Sequence, residues 1–397
     1  MSTSTRPVIG AYPLLIGLLA VALGVSGAPA PLYGVYEREW HLAPLTTTLV
    51  FAAYAVAALG SVLVAGQLSD RYGRKPLLVG AVVMMVAGLV VFMTAHGVVA
   101  LFVARALHGA AVGATVVAGS AALLDLRPND GARTGHLSGI MFNVGMAVTI
   151  LGASLLAQYG PGPLVTPYAV VGLVVLVVLF NLLLMEETHR DRSTTRIRLS
   201  RPSVPPAIRH DFRFAVLGVM ASWSVLGVYL SLFPAFAGQS TGIHSLVFGG
   251  AVVAAMASAA AVSQAFGIRV VPRTAAIVGD FATAFALVVS VLALDSHRPW
   301  LVAAAAVLMG LSFGLAFGGS LRHLGRVVPA DHRGEVMSAY YVLAYGAMAV
   351  PTILAGWAAT RWSLEQIFPW FTAAVALACL AAGVLGLSGR RMHVQPA

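Results

Sequence analysis

Charge is what this chain has least of. Asp, Glu, Lys and Arg make up 10% of its 397 residues, against about 25% in an ordinary soluble domain. Too few solvated side chains remain to cover a water-facing surface, which argues against a soluble enzyme. Cysteine is nearly missing as well. A lone Cys379 in an apolar run leaves no partner for an intrachain disulfide and no thiolate metal site; packing is its expected role. No Gly-rich loop runs into Lys and Ser or Thr, so a phosphate-cradling ATP site is not expected. No metal-ligand cluster and no nucleophile beside a base can be read along the chain. The chain reads as no enzyme, with no cofactor and no metal.

What it has in abundance is apolar length. Hydrophobic residues make up 59% of the chain, and about 20 apolar residues suffice for one helix across a bilayer. Breaks at charges, Pro and Gly clusters leave twelve candidate spans: 10–35, 45–68, 77–95, 98–124, 134–157, 165–185, 213–236, 245–267, 273–293, 300–321, 335–358 and 365–387. Spanning segments must satisfy their backbone internally, so helices are the expected form. The first run ends in Ser26-Gly-Ala-Pro-Ala30, which imitates a signal-peptidase site. Its basic leader is only Arg6, and the run is long enough to cross; it is read as the first helix.

The net charge of +10 could suggest a nucleic-acid partner, but its distribution does not. With both termini inside the cell, 20 of the 24 Lys and Arg fall in cytoplasmic segments. Arg38, Arg298 and Arg361 fall outside, and Arg105 falls within a span. This is the positive-inside pattern, so no nucleic-acid role is expected. The expected location is the bacterial inner (cytoplasmic) membrane, multi-pass, both termini cytoplasmic.

Residues 186–213 hold seven Arg, four acids and three Pro and separate two sets of six spans. The division expected is a six-helix bundle over 1–189, a cytoplasmic linker over 190–211 and a second bundle over 212–397. The linker reads as a solvated connector, with regulatory docking or lipid contact as its alternative. The halves match weakly at an offset of 201: Gly109 and Gly113 with Gly310 and Gly314, Pro128 and Asp130 with Pro329 and Asp331, Gly145 with Gly346. Duplicated halves imply a site at their interface near the bilayer midplane.

Between the second and third spans lies Gly66-Gln-Leu-Ser-Asp-Arg-Tyr-Gly-Arg-Lys-Pro76. This dense polar turn resembles, at nearly every position, the signature loop of the major facilitator superfamily of transporters. The resemblance covers essentially the whole chain. It implies an all-α membrane fold of twelve helices in two pseudo-symmetric six-helix bundles. Asp70 is placed to cap a neighbouring helix N-terminus. By resemblance, Arg74 pairs with the acid at the inner end of the fourth helix, here Asp125. Gly66, Asp70, Arg71, Gly73, Arg74 and Asp125 then form a latch that holds the halves together when the cavity faces outward. The alternative is a surface charge cluster that sets orientation.

Arg105-Ala-Leu-His-Gly109-Ala-Ala-Val-Gly113 resembles the family's helix-four motif, common in proton-coupled members. An intramembrane Arg is costly and invites a functional reading, although it keeps its own proton. Its rival role is bonding to backbone carbonyls of the first helix. His108 and Asp280 join Arg105 as proton-coupling candidates. Asp280 is the one acid well inside a span, about 10 Å from its inner end at 1.5 Å per residue; pairing with Arg273 or Arg269 is the competing expectation. Glu37 and Glu39 read as solvated loop charges. Tyr54, Asn143, Trp223, Tyr229, Phe233, Phe313, Phe317, Tyr341 and Tyr345 are candidates for the substrate cavity, with helix packing as the alternative for each. Ring faces suit amphipathic, aromatic or cationic ligands.

The outer run Pro31-Leu-Tyr-Gly-Val-Tyr36 and the helix-four Arg look like a bacterial drug–proton antiporter branch. The fifth span, Gly145-Met-Ala-Val-Thr-Ile-Leu-Gly-Ala-Ser154, departs from it, because the Pro usual there is absent. The expectation is a monomeric secondary transporter in membrane lipid, exporting amphipathic small molecules against entering protons by alternating access. An uptake symporter or uniporter for a small polar metabolite or sugar stands as the alternative.

Overall fold

The computed structural model describes residues 10–189, 203–329 and 332–388. Most of the expected linker and Asp331 of the repeat lie outside the described residues. The described chain is helical. Its helices are α1 (Ala11–Gly27), α2 (Tyr33–Trp40), α3 (Pro44–Tyr72), α4 (Arg74–Met93), α5 (Val98–Leu126), α6 (Gly131–Tyr159) and α7 (Thr166–Leu184) in the first half. The second half holds α8 (Arg209–Ser231), α9 (Phe233–Thr241), α10 (Leu246–Gly267), α11 (Pro272–Asp295), α12 (Pro299–Val327), α13 (Arg333–Ala359) and α14 (Leu364–Ser388). Together they give twelve segments long and apolar enough to cross a membrane, with α1 and α2 sharing one. The chain is a multi-pass membrane protein with the twelve-helix fold expected.

Several helices begin with Pro at a first-turn position, where the missing N–H is no loss: α3, α11 and α12. Charge-free length underestimates the helices. α3 runs through Asp70 and Arg71 to Tyr72, and α12 through Arg322 and Arg326 to Val327. Backbone hydrogen bonding does not stop where hydrocarbon stops. At Gly73 the chain turns from α3 into α4 with φ of 104°. Side chains rarely adopt that region, and a Cβ there would also collide with the Glu187 carboxylate.

The two halves are packed alike. Gly109 and Gly113 of α5 lie directly on the α3 backbone at Tyr54 and Ala58. Gly310 and Gly314 of α12 do the same on α10 at Met256 and Ala260. The offset of 201 thus maps one close helix crossing onto its counterpart, the use small residues have in membrane bundles. The match does not extend to the next pair. Gly145 presses on the Ala20 carbonyl of α1, whereas a Cβ at Gly346 would meet open space. In the second half Gly227 of α8 supplies that contact, against Met348 and Thr352 of α13.

The halves meet along α3 with α13 and α6 with α10. Their tightest contacts gather at the end of the bundle opposite the 66–76 loop. There Gly356 packs on Thr48 and Gly250 on Ser154. Gln158 Oε1 accepts from Ser245 Oγ at 2.7 Å and from the Val247 N–H at 3.0 Å. Near the loop end the halves part. A cleft of about 440 Å³ opens between α6, α10, α12 and α13, lined by His136, Gly139, Gln264, Phe317, Arg322 and Met337 among others.

Candidate functional site

The polar turn and its neighbours form a compact cluster in the first half. Arg74 is buried; its Nε donates to Asp125 Oδ2 at 3.0 Å. Its Nη1 donates to Ser69 Oγ at 2.9 Å and to Asp70 Oδ1 at 2.5 Å. One guanidinium fork therefore ties the end of α3 to the end of α5 through charge-assisted bonds. Asp70 does not cap a helix as expected. Glu187, just past α7, takes that role: its carboxylate accepts from the N–H groups of Arg74 at 3.0 Å and Lys75 at 3.1 Å. A carboxylate at this position meets free N–H groups and the positive end of the α4 dipole. Lys75 returns the contact, donating from Nζ to the Leu183 carbonyl at 2.7 Å. Arg71 stays apart, over the Tyr72 ring. Gly66 faces Val117 of α5 at ordinary contact distance. Asp70, Arg74, Asp125 and Glu187 all find these partners within the first half.

Glu187 was missed in the sequence because it falls among the charges of residues 186–213, where any acid reads as solvated. Its position directly after an apolar span was the available signal.

Arg105 sits at 1% exposure near the end of α1. Its Nη1 donates to the Ser26 carbonyl at 2.9 Å, and its guanidinium lies 4.5 Å from the centre of the Tyr54 ring. Ser26 is among the last residues of α1, whose final carbonyls lack helical partners. The cation satisfies one of them and meets the negative end of the dipole. Arg105 thus bonds to a backbone carbonyl of the first helix. His108 is fully buried between α4 and α5, packed on Phe92 and pressed against Gly88.

Asp280 is 1% exposed on α11, and its Oδ2 has no hydrogen-bond partner. It does not pair with Arg273. That guanidinium bonds Asp211 Oδ1 at 3.2 Å and the Gly386 carbonyl at 2.9 Å. His323 Nε2 lies 2.8 Å from the same Asp211 oxygen.

The aromatic candidates separate into groups. Trp223 of α8 meets Tyr345 of α13 edge-on at 4.9 Å and Phe317 of α12 at 5.8 Å. Phe313 stacks along Phe317, and Tyr341 adjoins Tyr345. These five rings form one cluster on the inner side of the second half, and Phe317 also lines the loop-end cleft. Tyr54 of α3 belongs to the same core cluster as Tyr345. Tyr229 and Phe233 are elsewhere. They stack at 4.0 Å and pack with Phe236 and Phe368 in the core of the second half. Spacing of four residues put both on one face, but that face turns inward to its own bundle. Asn143 is buried and spends its amide on the Gly139 carbonyl of its own helix. Glu37 is not free in solvent either, since it accepts from Thr47 Oγ1 at 2.6 Å.

A larger depression of about 1070 Å³ lies on the flank of the second half, between α8, α13 and α14. It is lined by Met220, Val350, Leu354, Trp370 and Val375 among others. Ser224 Oγ, bonded to the Ala347 carbonyl at 2.9 Å, joins α8 to α13 at its floor.

A family model described as the Major Facilitator Superfamily matches residues 14–351. Two curated relatives, from two strains of Klebsiella pneumoniae, are each named multidrug resistance protein MdtL. One is 26% identical over 250 residues, covering 61% of this chain and 60% of that protein. The other is 28% identical over 180 residues, covering 44% of this chain and 39% of that protein. In both cases the chain spans less than two thirds of the relative's length. On the family match and the twelve-helix fold together, the chain belongs to the Major Facilitator Superfamily.

Proposed function

We propose that this protein is a secondary transporter that exports amphipathic small molecules, preferring aromatic or cationic ones, in exchange for entering protons. The observation that carries the reading is the cluster of Trp223, Phe313, Phe317, Tyr341 and Tyr345. It lies where the halves meet, beside a cleft at the loop end, while the opposite end is packed shut. The positive charges concentrate at the loop end, which makes that end cytoplasmic. The conformation is then inward-facing. Ligand enters from the cytoplasm or inner leaflet and rests against ring faces. The halves rock, the outer contacts part, and ligand leaves outward. Arg74, Asp70 and Asp125 are built within one half in this state and gain partners from the other half when the cleft shuts. The multidrug names of the relatives support the substrate class, and the family supports alternating access.

The test is flux of ethidium in proteoliposomes of purified protein, with and without an imposed proton gradient. Gradient-driven movement that a protonophore abolishes supports the reading. No ethidium movement from folded protein refutes it in favour of a transporter for a narrow, polar solute.

A further inference from the structure

The second half contains a buried acid with no ion-pair partner among the described residues, and polar groups on its loop-end side. Asp280 sits two turns into α11, 1% exposed. Gly218 of α8 faces it so closely that a Cβ there would lie 2.8 Å from Oδ1. The other ionisable neighbours are Tyr340 of α13 and Cys379 of α14. Neither carries positive charge. Arg273, the nearest Arg along its own helix, is committed to Asp211 and Gly386. On α8 and α12 the first charged groups toward the loop end are Arg213, which is exposed, and Arg322, which donates to the Gly318 and Gly267 carbonyls; Asp211 and His323 follow them. Burying an unpaired charge in apolar surroundings is costly.

From Asp280 toward the loop end a few polar groups recur beside the apolar cluster of Phe214, Ala276 and Ile277. The Tyr340 hydroxyl lies 3.5 Å from Ser320 Oγ, which donates to the Ala215 carbonyl at 2.7 Å. One turn further on the same two helices stand His323 and Asp211, bonded to each other at 2.8 Å. Sideways, Tyr340 is joined to the proposed ligand site. Its chain neighbour Tyr341 belongs to the aromatic cluster, and the two rings stand edge-to-face at 5.7 Å. Tyr340 and Tyr341 are consecutive residues of one turn of α13, so the two rings are carried by the same backbone.

We propose that Asp280 is the proton-carrying carboxyl of this transporter, discharging to the loop end through Tyr340, Ser320 and the His323–Asp211 pair when ligand occupies the aromatic cluster. One proton leaves the carboxyl, passes to the imidazole and then to cytoplasmic water, and Asp280 remains as carboxylate. In the outward-open state a proton from the other side restores the acid. This inference rests on the proton-coupled reading above and names the group responsible.

Two measurements separate it from that reading. The first is infrared spectroscopy of the purified protein. Ligand-free protein should show a protonated-carboxyl band that vanishes in Asp280→Asn and weakens on saturation with ethidium. If the band survives in Asp280→Asn, or ignores ethidium in the wild type, the proposal is overturned. The second uses proteoliposomes. Asp280→Asn keeps a neutral side chain of the same shape and should fold. Its gradient-driven ethidium flux should fall more than about tenfold, while ethidium exchange without a gradient stays within a few-fold. Asp280→Glu should recover part of the driven flux. Driven flux retained in Asp280→Asn refutes the assignment. So does equal loss of driven flux and exchange in a variant that melts like the wild type. Wild-type flux indifferent to the gradient sinks the proton-coupled reading, and the infrared result alone then decides whether Asp280 exchanges its proton on binding.

Discussion

The two halves of this protein share a backbone plan and differ in what they bury. In each half, the fourth helix lies against the second through two Gly one turn apart: Gly109 and Gly113 on α3, Gly310 and Gly314 on α10. In each, an Arg in the first turn of the third helix binds an acid: Arg74 with Asp125, Arg273 with Asp211. Between those fixed points the chemistry diverges. The first half buries the cation Arg105, and the offset of 201 puts Ala306 at its counterpart. The second half buries the acid Asp280, whose counterpart is Val79. The close crossings are backbone geometry, where a larger side chain does not fit. The buried charges are not part of the shared backbone plan, since each half has an apolar residue where the other has its charge. A permanent charge clamps α1 in one half, and a group able to exchange a proton sits in the other.

Overfilling the shared crossing should do the most damage. Gly109→Leu and Gly310→Leu each force a side chain into neighbouring backbone. Each should cost about 3 kcal/mol, the upper part of the range for overpacking, and sharply reduce recovery of folded protein. Monodispersity on size exclusion and thermal melting check this. If one half tolerates its substitution and the other does not, the crossings are alike in shape but not in constraint.

Next comes the buried cation. Arg105→Ala strands the Ser26 carbonyl and strips the cation from the Phe51 and Tyr54 rings. An unsatisfied buried acceptor and the lost contacts should together cost about 2 kcal/mol. The same melting assay reads this, with ethidium exchange measured alongside. A stability loss with exchange unchanged assigns Arg105 to clamping α1. Loss of driven flux at unchanged stability assigns it to coupling.

The fold was more legible than the site, for a physical reason. Bilayer crossing imposes a long, charge-free run, and twelve of those stand out along the chain. Helix ends were less so, because the last turns of α3, α5 and α12 carry charges beyond the hydrocarbon yet continue the backbone ladder. The Gly pairs of the repeat were visible because close packing admits so few residues. The Arg74–Asp125 pair was anticipated from resemblance, and spacing alone would not have found it. Asp211 and Arg273 lie 62 residues apart, and nothing local links them. Tyr229 and Phe233 show the limit most plainly. Periodicity reports that two rings share a face and is silent on which neighbour that face meets.

Transport separates the two charge clusters where stability does not. Asp70→Asn keeps the shape of the turn and removes one of the two carboxylates on Arg74. Asp211→Asn does the equivalent to Arg273 in the second half. If the first cluster gates the rocking motion, Asp70→Asn should slow ethidium flux about tenfold and leave affinity for ethidium within a few-fold. Asp211→Asn, placed on the discharge route, should suppress driven flux more than exchange. The two variants behaving alike would make both clusters simple gates. A large affinity loss in Asp70→Asn would move that residue to the ligand site.

The smallest effect should come from the anionic cap that Glu187 gives α4. Glu187 accepts from the first N–H groups of α4 and from its own loop at His189. In the second half, α14 is held by Arg273 reaching the Gly386 carbonyl. One half thus places an anion at a helix start, and the other places a cation at a helix end. Both satisfy the dipole rule from opposite sides. Glu187→Gln keeps an acceptor oxygen and loses the charge, so it should cost about 1 kcal/mol, read as a modest drop in melting temperature that added salt diminishes. Glu187→Ala should cost more, because the N–H groups of Arg74 and Lys75 then lose their acceptor while Gly73 keeps its strained turn. Equal melting temperatures for Gln, Ala and wild type would show that water serves these N–H groups as well as Glu187 does. The polar tie between the end of α7 and the start of α4 would then rest on Lys75 and the Leu183 carbonyl, beside the packing of Phe92 on Tyr168.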